Sequence, residues 1–180
     1  MQYTVGVIMD PIASIKPHKD TSFAMMLEAQ RRGAKVVYFE LKDLYLDNGK
    51  PMGLAKTVSV RDQATDFYTL EEESVVHLGD IDVLLMRKDP PFDSEFLYAT
   101  QVLSLAQDAG ALVVNNPQAL RDYNEKLFTS YFPEHIPDTL VSNNQAIIRA
   151  FHAKHQDIIC KPLDGMGGAS IFRVKPDGNN

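Results

Sequence analysis

What most restricts the fold of this chain is an alternation along it. Short apolar, β-branched runs at residues 3–9, 35–39, 81–86 and 111–114 are separated by stretches with helical spacing. Runs that are apolar without alternation read as strands buried on both faces, since a strand covered on one face shows a period of two. Between the first two runs, Asp20 or Thr21 can cap a helix reaching about Arg32. Such a helix places Phe23, Met26, Leu27 and Gln30 on one face, and Gly33 stops it. Between the last two runs, Asp93 follows Pro90-Pro91 and can cap a helix striped by Phe96, Ala99, Val102, Leu103 and Ala106, with Gly110 at its end. Strands separated by helices bury their apolar faces by stacking in layers, so residues 1–122 read as a parallel, three-layer α/β domain. Asp47-Asn48-Gly49 is a turn signal that makes residues 45–60 a small hairpin, while the acidic stretch 61–79 has no clear pattern.

The texture changes after residue 122. Residues 124–132 read as a helix, followed by a link punctuated by Pro133 and Pro137, a short strand near 139–141, and a helix over 144–154. A strand at 157–161 then leads through a glycine-rich loop to another at 170–174. So few elements offer too little apolar surface for a core of their own, and residues 123–180 read as the beginning of an α+β domain that has been cut.

Composition excludes several classes. A net charge of -6 argues against a general nucleic-acid binder, which needs clustered Lys and Arg to neutralise phosphates. Cys160 is the single cysteine, so no internal disulfide can form. The opening residues lack a basic region and a long apolar stretch, and no run long enough to span a membrane occurs. A soluble cytoplasmic protein is the expectation.

Ligands of open parallel sheets gather beyond the carboxyl ends of the strands. Those ends deliver Asp10, then Arg87-Lys88-Asp89, then Asn115-Asn116. Arg87 stands out because a planar guanidinium suits bidentate capture of a carboxylate or phosphate. The same residues also fit solvated loops, or an Arg–Asp pair that fixes a turn. Near the end of the chain a strand runs into Lys161, followed by Asp164-Gly165-Met166-Gly167-Gly168. Glycines there expose main-chain N–H groups to an anion, and the lysine adds a point charge. Neither a Walker A loop nor GxGxxG is present, and a hairpin turn with a surface lysine fits equally. His152 and His155 lie one helical turn apart but lack a third ligand, so they read as exposed helix residues. Cys160 alternates with Lys161 and reads as core-facing.

Six strings carry a resemblance that spans the chain: VIMDPIASI, DTSFAMMLEAQRRG, DLYLDNGK, LLMRKDPPFDSEFLYAT, NNPQALRDYNEKLFT and KPLDGMGGASIFRV. Through them the chain resembles the N-terminal part of the prokaryotic glutathione synthetases, which are ATP-grasp ligases. The resemblance implies a pre-ATP-grasp domain over residues 1–122 and the start of an ATP-grasp domain over 123–180. It implies ligation of γ-glutamylcysteine and glycine, with ATP and Mg2+, by way of an acyl phosphate. Lys126 and Lys161 match the family's two ATP-phosphate lysines, and Gly165, Gly167 and Gly168 its small loop over the nucleotide. Asp10, Arg87 and Asp89 fall where the dipeptide is expected. The metal ligands are expected beyond this chain, which by itself is expected to be inactive, and a homo-oligomer is implied. Alternatives are a short binding or assembly module without catalysis, and another ATP-grasp peptide ligase.

Overall fold

The computed structural model describes residues 2–165 and 167–176. In chain order its first unit contains β1 (Thr4–Ile8), α1 (Thr21–Arg31), β2 (Lys35–Phe39), β3 (Leu44–Asp47), β4 (Lys50–Val60), β5 (Tyr68–His77), β6 (Val83–Met86), α2 (Ser94–Asp108), β7 (Leu112–Val114) and α3 (Pro117–Asp122). The strands form one sheet in the order β3–β4–β2–β1–β6–β7, with β5 also paired to β4. β2, β1, β6 and β7 run parallel, in a register that sets Val7 opposite Tyr38 on one side and Leu85 on the other.

Both faces of the parallel part are apolar because both are covered. Val7, Met9, Val36 and Tyr38 pack with Phe23 and Met26 of α1. Ile8, Val37, Phe39, Leu84 and Met86 pack with Phe96, Ala99, Leu103 and Ala106 of α2 on the other face. Strand neighbours point to opposite faces, so each short run feeds two cores and needs no polar alternation. The helices begin where the sequence places them: the Asp20 carboxylate accepts from Phe23 N at 2.8 Å and that of Asp93 from Phe96 N at 2.9 Å. The expected three layers are present.

The sheet is wider than its parallel strands. The expected hairpin is present, with β3 and β4 pairing antiparallel across the Asn48-Gly49 turn, but β4 runs on to eleven residues and is antiparallel to β2 and β5 as well. At its last residue a side chain takes the place of a neighbouring strand, as Gln30 of α1 donates to Val60 O and accepts from Val60 N, both at 2.9 Å. β5 occupies the acidic stretch without a pattern. It pairs only with β4, and Glu71, Glu72 and Glu73 are exposed. Main-chain bonds define it, and its charges suit a sheet edge.

Met1–Asp89 and Asp93–Arg121 make up this first compact unit, and Pro90–Phe92 and Asp122–Asn180 a second. The second unit contains α4 (Gln145–His155), β8 (Ile158–Cys160) and β9 (Phe172–Val174). Asn144 caps α4, accepting from Ala146 N at 2.9 Å. β8 and β9 pair antiparallel, and Arg173 grips Asp157 through two hydrogen bonds of 3.0 and 2.6 Å. Among the described residues 122–176 none is buried.

Four local readings change here. Residues 124–132 are not a helix: a turn at Asn124 precedes a 3-10 segment, Phe128–Tyr131. The Asn124 side chain competes for the backbone N–H groups that a helix would use. Residues 139–141 form no strand among the described residues. His152 and His155 are half-buried rather than exposed, since they share the face of α4 that carries Phe151, on which the His155 ring stacks at 4.3 Å. Cys160 is half-buried rather than in a core. No helix of the described residues is long and apolar enough to cross a membrane.

Candidate functional site

In the first unit the carboxyl ends of β1 and β6 lie side by side, because Arg87 N continues their ladder by donating to Ile8 O at 2.7 Å. This brings Asp10, Arg87, Lys88 and Asp89 together. Asp10 is fully engaged: one carboxylate oxygen lies 2.9 Å from Lys88 Nζ, and the other accepts from Asp89 N at 3.0 Å. Lys88 also donates to Asp89 O at 2.5 Å. Asp10 therefore braces the 88–89 turn rather than standing free.

The expected alternatives for Arg87 were a ligand contact or a pairing with Asp89. Its actual partners are hydroxyls at the start of α1. Nε donates to Ser22 Oγ at 3.2 Å and Nη2 to Thr21 Oγ1 at 2.8 Å. Ser22 is buried, so its oxygen is a fixed anchor. Among the described residues no carboxylate pairs with Arg87, and its Nη1 makes no hydrogen bond. Its positive charge is thus held in place, half-buried and without a carboxylate partner among the described residues, two positions along the chain from the exposed Asp89, whose carboxylate also has no partner among them. Such a pair can take a zwitterionic ligand, carboxylate to guanidinium and ammonium to carboxylate. Asn116 turns instead to its own chain, capping α3 by accepting from Gln118 N at 2.9 Å and Ala119 N at 3.1 Å.

In the second unit the lysine turn meets the glycine-rich loop of the β8–β9 hairpin. Lys126 Nζ donates to Gly165 O at 2.7 Å and also pairs with Glu125. Asn124 Nδ2 donates to Leu163 O at 3.0 Å. Lys161, just past β8, is exposed, and its amine has no partner among the described residues. Gly167 and Gly168 sit at φ +66° and +82°, values that only glycine takes readily. Gly165 is needed for space, since a Cβ there would lie 2.8 Å from Pro162 Cγ. Met166, at the centre of the loop, lies outside the described residues. The result is one amine hydrogen-bonded to the loop, one free amine beside it in sequence, and a bare main chain. Among the described residues no three His, Cys, Asp or Glu side chains are grouped to hold a metal ion. His155 Nε2 comes within 3.7 Å of Asp138 Oδ2, but the two histidine Nε2 atoms have no hydrogen-bond partner.

The sequence reading missed Thr21 and Ser22 at the first cluster and Asn124 at the second, and it named Lys88 without giving it a role. Lys88 stood in the charged run at the end of β6. Asn124, directly before Glu125-Lys126, carried the signal of a side chain that closes a turn.

Comparison with known proteins bears on both clusters. The family described as prokaryotic glutathione synthetase, N-terminal domain, matches residues 3–121, and its ATP-grasp domain matches residues 125–180. A glutathione synthetase of Vibrio parahaemolyticus is 53% identical over 176 residues, 98% of this chain and 56% of its own length. Those of Salmonella typhi and Yersinia pestis are 57% and 56% identical, over 95% and 98% of this chain and 54% and 55% of their own. The chain thus spans about half the length of the curated relatives it matches. Among solved structures, D-alanyl-alanine synthetase A from Vibrio cholerae matches 98% of this chain and 53% of its own at a TM-score of 0.54 and 15% identity. The ATP-grasp ligase PsnB, complexed with a phosphomimetic variant of its minimal precursor, Mg and ADP, matches 96% of this chain and 58% of its own at 0.52 and 18%. These two likenesses concern fold alone. With a family match over residues 3–121 and a second over 125–180, the chain belongs to the prokaryotic glutathione synthetases.

Proposed function

We propose that this chain is the N-terminal part of an enzyme that joins γ-glutamylcysteine to glycine at the expense of ATP. The γ-phosphoryl group passes to the cysteinyl carboxylate and ADP departs. The glycine amine then attacks the acyl carbon, phosphate leaves, and glutathione is formed. The observation that carries this reading is the identity of 53–57% to glutathione synthetases along 95–98% of the chain. Lys126, Lys161 and the main chain at Gly165, Gly167 and Gly168 hold the nucleotide phosphates, stabilising charge rather than forming bonds. Arg87 and Asp89 receive the dipeptide, with Asp10 bracing their turn. The geometry that supports these roles is a half-buried guanidinium without a carboxylate partner among the described residues in one unit and an amine on the glycine loop in the other.

The magnesium that neutralises the phosphoryl group finds no set of acidic or imidazole ligands among the described residues, and the reading assigns its ligands elsewhere. An oligomeric, cytoplasmic enzyme is part of the same proposal. The test is ADP release with Mg-ATP, γ-glutamylcysteine and glycine. The chain alone is expected to give none. The chain joined to the C-terminal half of the Yersinia pestis relative is expected to release ADP only when both γ-glutamylcysteine and glycine are present. Turnover by the chain alone would sink the assignment of essential groups elsewhere, and preference for another dipeptide would end the glutathione reading.

A further inference from the structure

Asn124 makes more hydrogen bonds than its place in an exposed turn requires. Its carboxamide oxygen accepts from Lys126 N at 3.0 Å and Leu127 N at 3.2 Å, and its carbonyl accepts from Phe128 N at 2.8 Å. Its carboxamide nitrogen reaches 39 residues along the chain to Leu163 O at 3.0 Å. Two residues on from each end of that bond, Lys126 Nζ donates to Gly165 O at 2.7 Å. One side chain thereby shapes the turn that carries the lysine with its oxygen and grips the glycine loop with its nitrogen. The amide orientation is fixed by this network, because the oxygen faces only donors and the nitrogen a carbonyl.

We propose that Asn124 is a positioning residue that sets the Lys126 amine against the main chain of Gly165, so that lysine and loop meet a phosphate as one preset unit. The phosphate part rests on the function proposed above; the positioning part does not. An amine and a loop held together before binding lose less conformational freedom on binding, which is the gain from preorganisation. Gly165 O and Glu125 meanwhile occupy the amine as stand-ins until an anion displaces it.

Two variants separate the two ends of the carboxamide. Asn124→Ser keeps an oxygen for the turn but cannot reach Leu163, and Asn124→Ala removes both contacts. Acylation of the full chain by a small amine-directed reagent, read by peptide mass spectrometry, gives the reactivity of Lys126 relative to Lys161. Lys161 is exposed and without a partner among the described residues, so it serves as the standard. In the wild-type chain Lys126 is expected to react more slowly. Both variants are expected to raise the ratio about five-fold, the factor that goes with one ordinary hydrogen bond. Hydrogen exchange at the Lys126 and Leu127 amides is expected to rise for Asn124→Ala and to stay low for Asn124→Ser. Asn144→Ala, which uncaps α4 in the same unit, is the structural control and is expected to leave the ratio unchanged. An unchanged ratio in both Asn124 variants overturns the proposal, and so does an equal rise in Asn144→Ala. In the enzyme completed with a C-terminal half, Mg-ADP is expected to shield both lysines. Failure of that shielding with the ratio effect intact removes the nucleotide reading and leaves the positioning role standing.

Discussion

At the scale of single residues, the smallest side chains define how closely this sheet is packed. Gly6 lies in the central strand β1, where an added Cβ would sit 2.6 Å from Leu84 Cδ2 and 3.1 Å from Phe39 Cε2. Both neighbours are completely buried, so neither can swing into solvent. Gly6→Ala is therefore expected to lower the stability of the first unit by about 1–3 kcal/mol, the usual cost of overfilling a packed core. Urea unfolding followed by far-ultraviolet circular dichroism measures it, and a loss well under 1 kcal/mol would mean that Leu84 repacks freely. Tyr38 shows the complementary case of a buried polar group that is satisfied. Its hydroxyl donates to Glu40 at 2.9 Å and accepts from Ile12 N at 3.2 Å. Burial is the main reason that its phenol is held well above the ordinary value, with Glu40 and Asp43 adding to the effect against the bond from Ile12. This hydroxyl ties the loop after β1 to the end of β2, which helps to fix the chain just beyond Asp10.

At the scale of elements, the hairpin of β8 and β9 is the smallest piece that must hold its shape, because it displays the glycine loop. Its apolar side chains do little of that work: Ile159 and Phe172 are both more than half exposed. The exposed fork between Arg173 and Asp157 joins the two ends of the hairpin, and the hydrogen bonds from Arg173 hold the Asp157 carboxyl below its ordinary value of 3.8. A lowered folded value means that the stabilisation is complete above about the ordinary value and is lost as pH falls through the folded one. Amide protection in the hairpin is thus expected to drop below pH 3.8, and Asp157→Asn is expected to show the low-pH level of protection already at neutral pH. Protection that is the same in both chains across this range would show that the fork does not hold the hairpin. The same elements show what could be read beforehand. Strands β1 and β2 and helices α1 and α2 were legible because their apolar runs and caps act locally. β5 was not, since an edge strand with three exposed glutamates is defined by the main chain of β4. The turn at Asn124 carried a local signal, since its side chain accepts from Lys126 N and Leu127 N, but its bond to Leu163 O was not legible, because no local pattern reports a partner 39 residues away. Arg87 was legible as a site candidate by its place at a strand end, but its partners Thr21 and Ser22 are 66 and 65 residues away.

For the whole molecule, the contrast between the two units decides how the chain responds to stress. The first unit encloses two apolar clusters, one on each face of its sheet. The second has no buried residue among those described at 122–176, and its helix α4 has none either. Hydrophobic burial is the main term that opposes chain entropy, so segments without it open at low cost. Protease access follows that opening. Limited trypsin digestion is therefore expected to cut first after Lys126, Arg149, Lys154 and Arg173, all in the second unit, whereas Lys161 and Lys175 each precede a proline and are spared. A resistant product ending near Arg121 should accumulate, since Arg121 is held by Thr100 O at 2.9 Å and Ser104 Oγ at 3.1 Å within the first unit. This places the domain boundary close to residue 122, as we propose. Simultaneous loss of both units would mean that the first does not fold without the second. Early cutting after Lys56 or Arg61 would instead locate the weak point in the antiparallel half of the sheet. The same experiment with the C-terminal half attached is expected to protect the second unit, since added chain gives its exposed Ile159, Ile171 and Phe172 something to pack against.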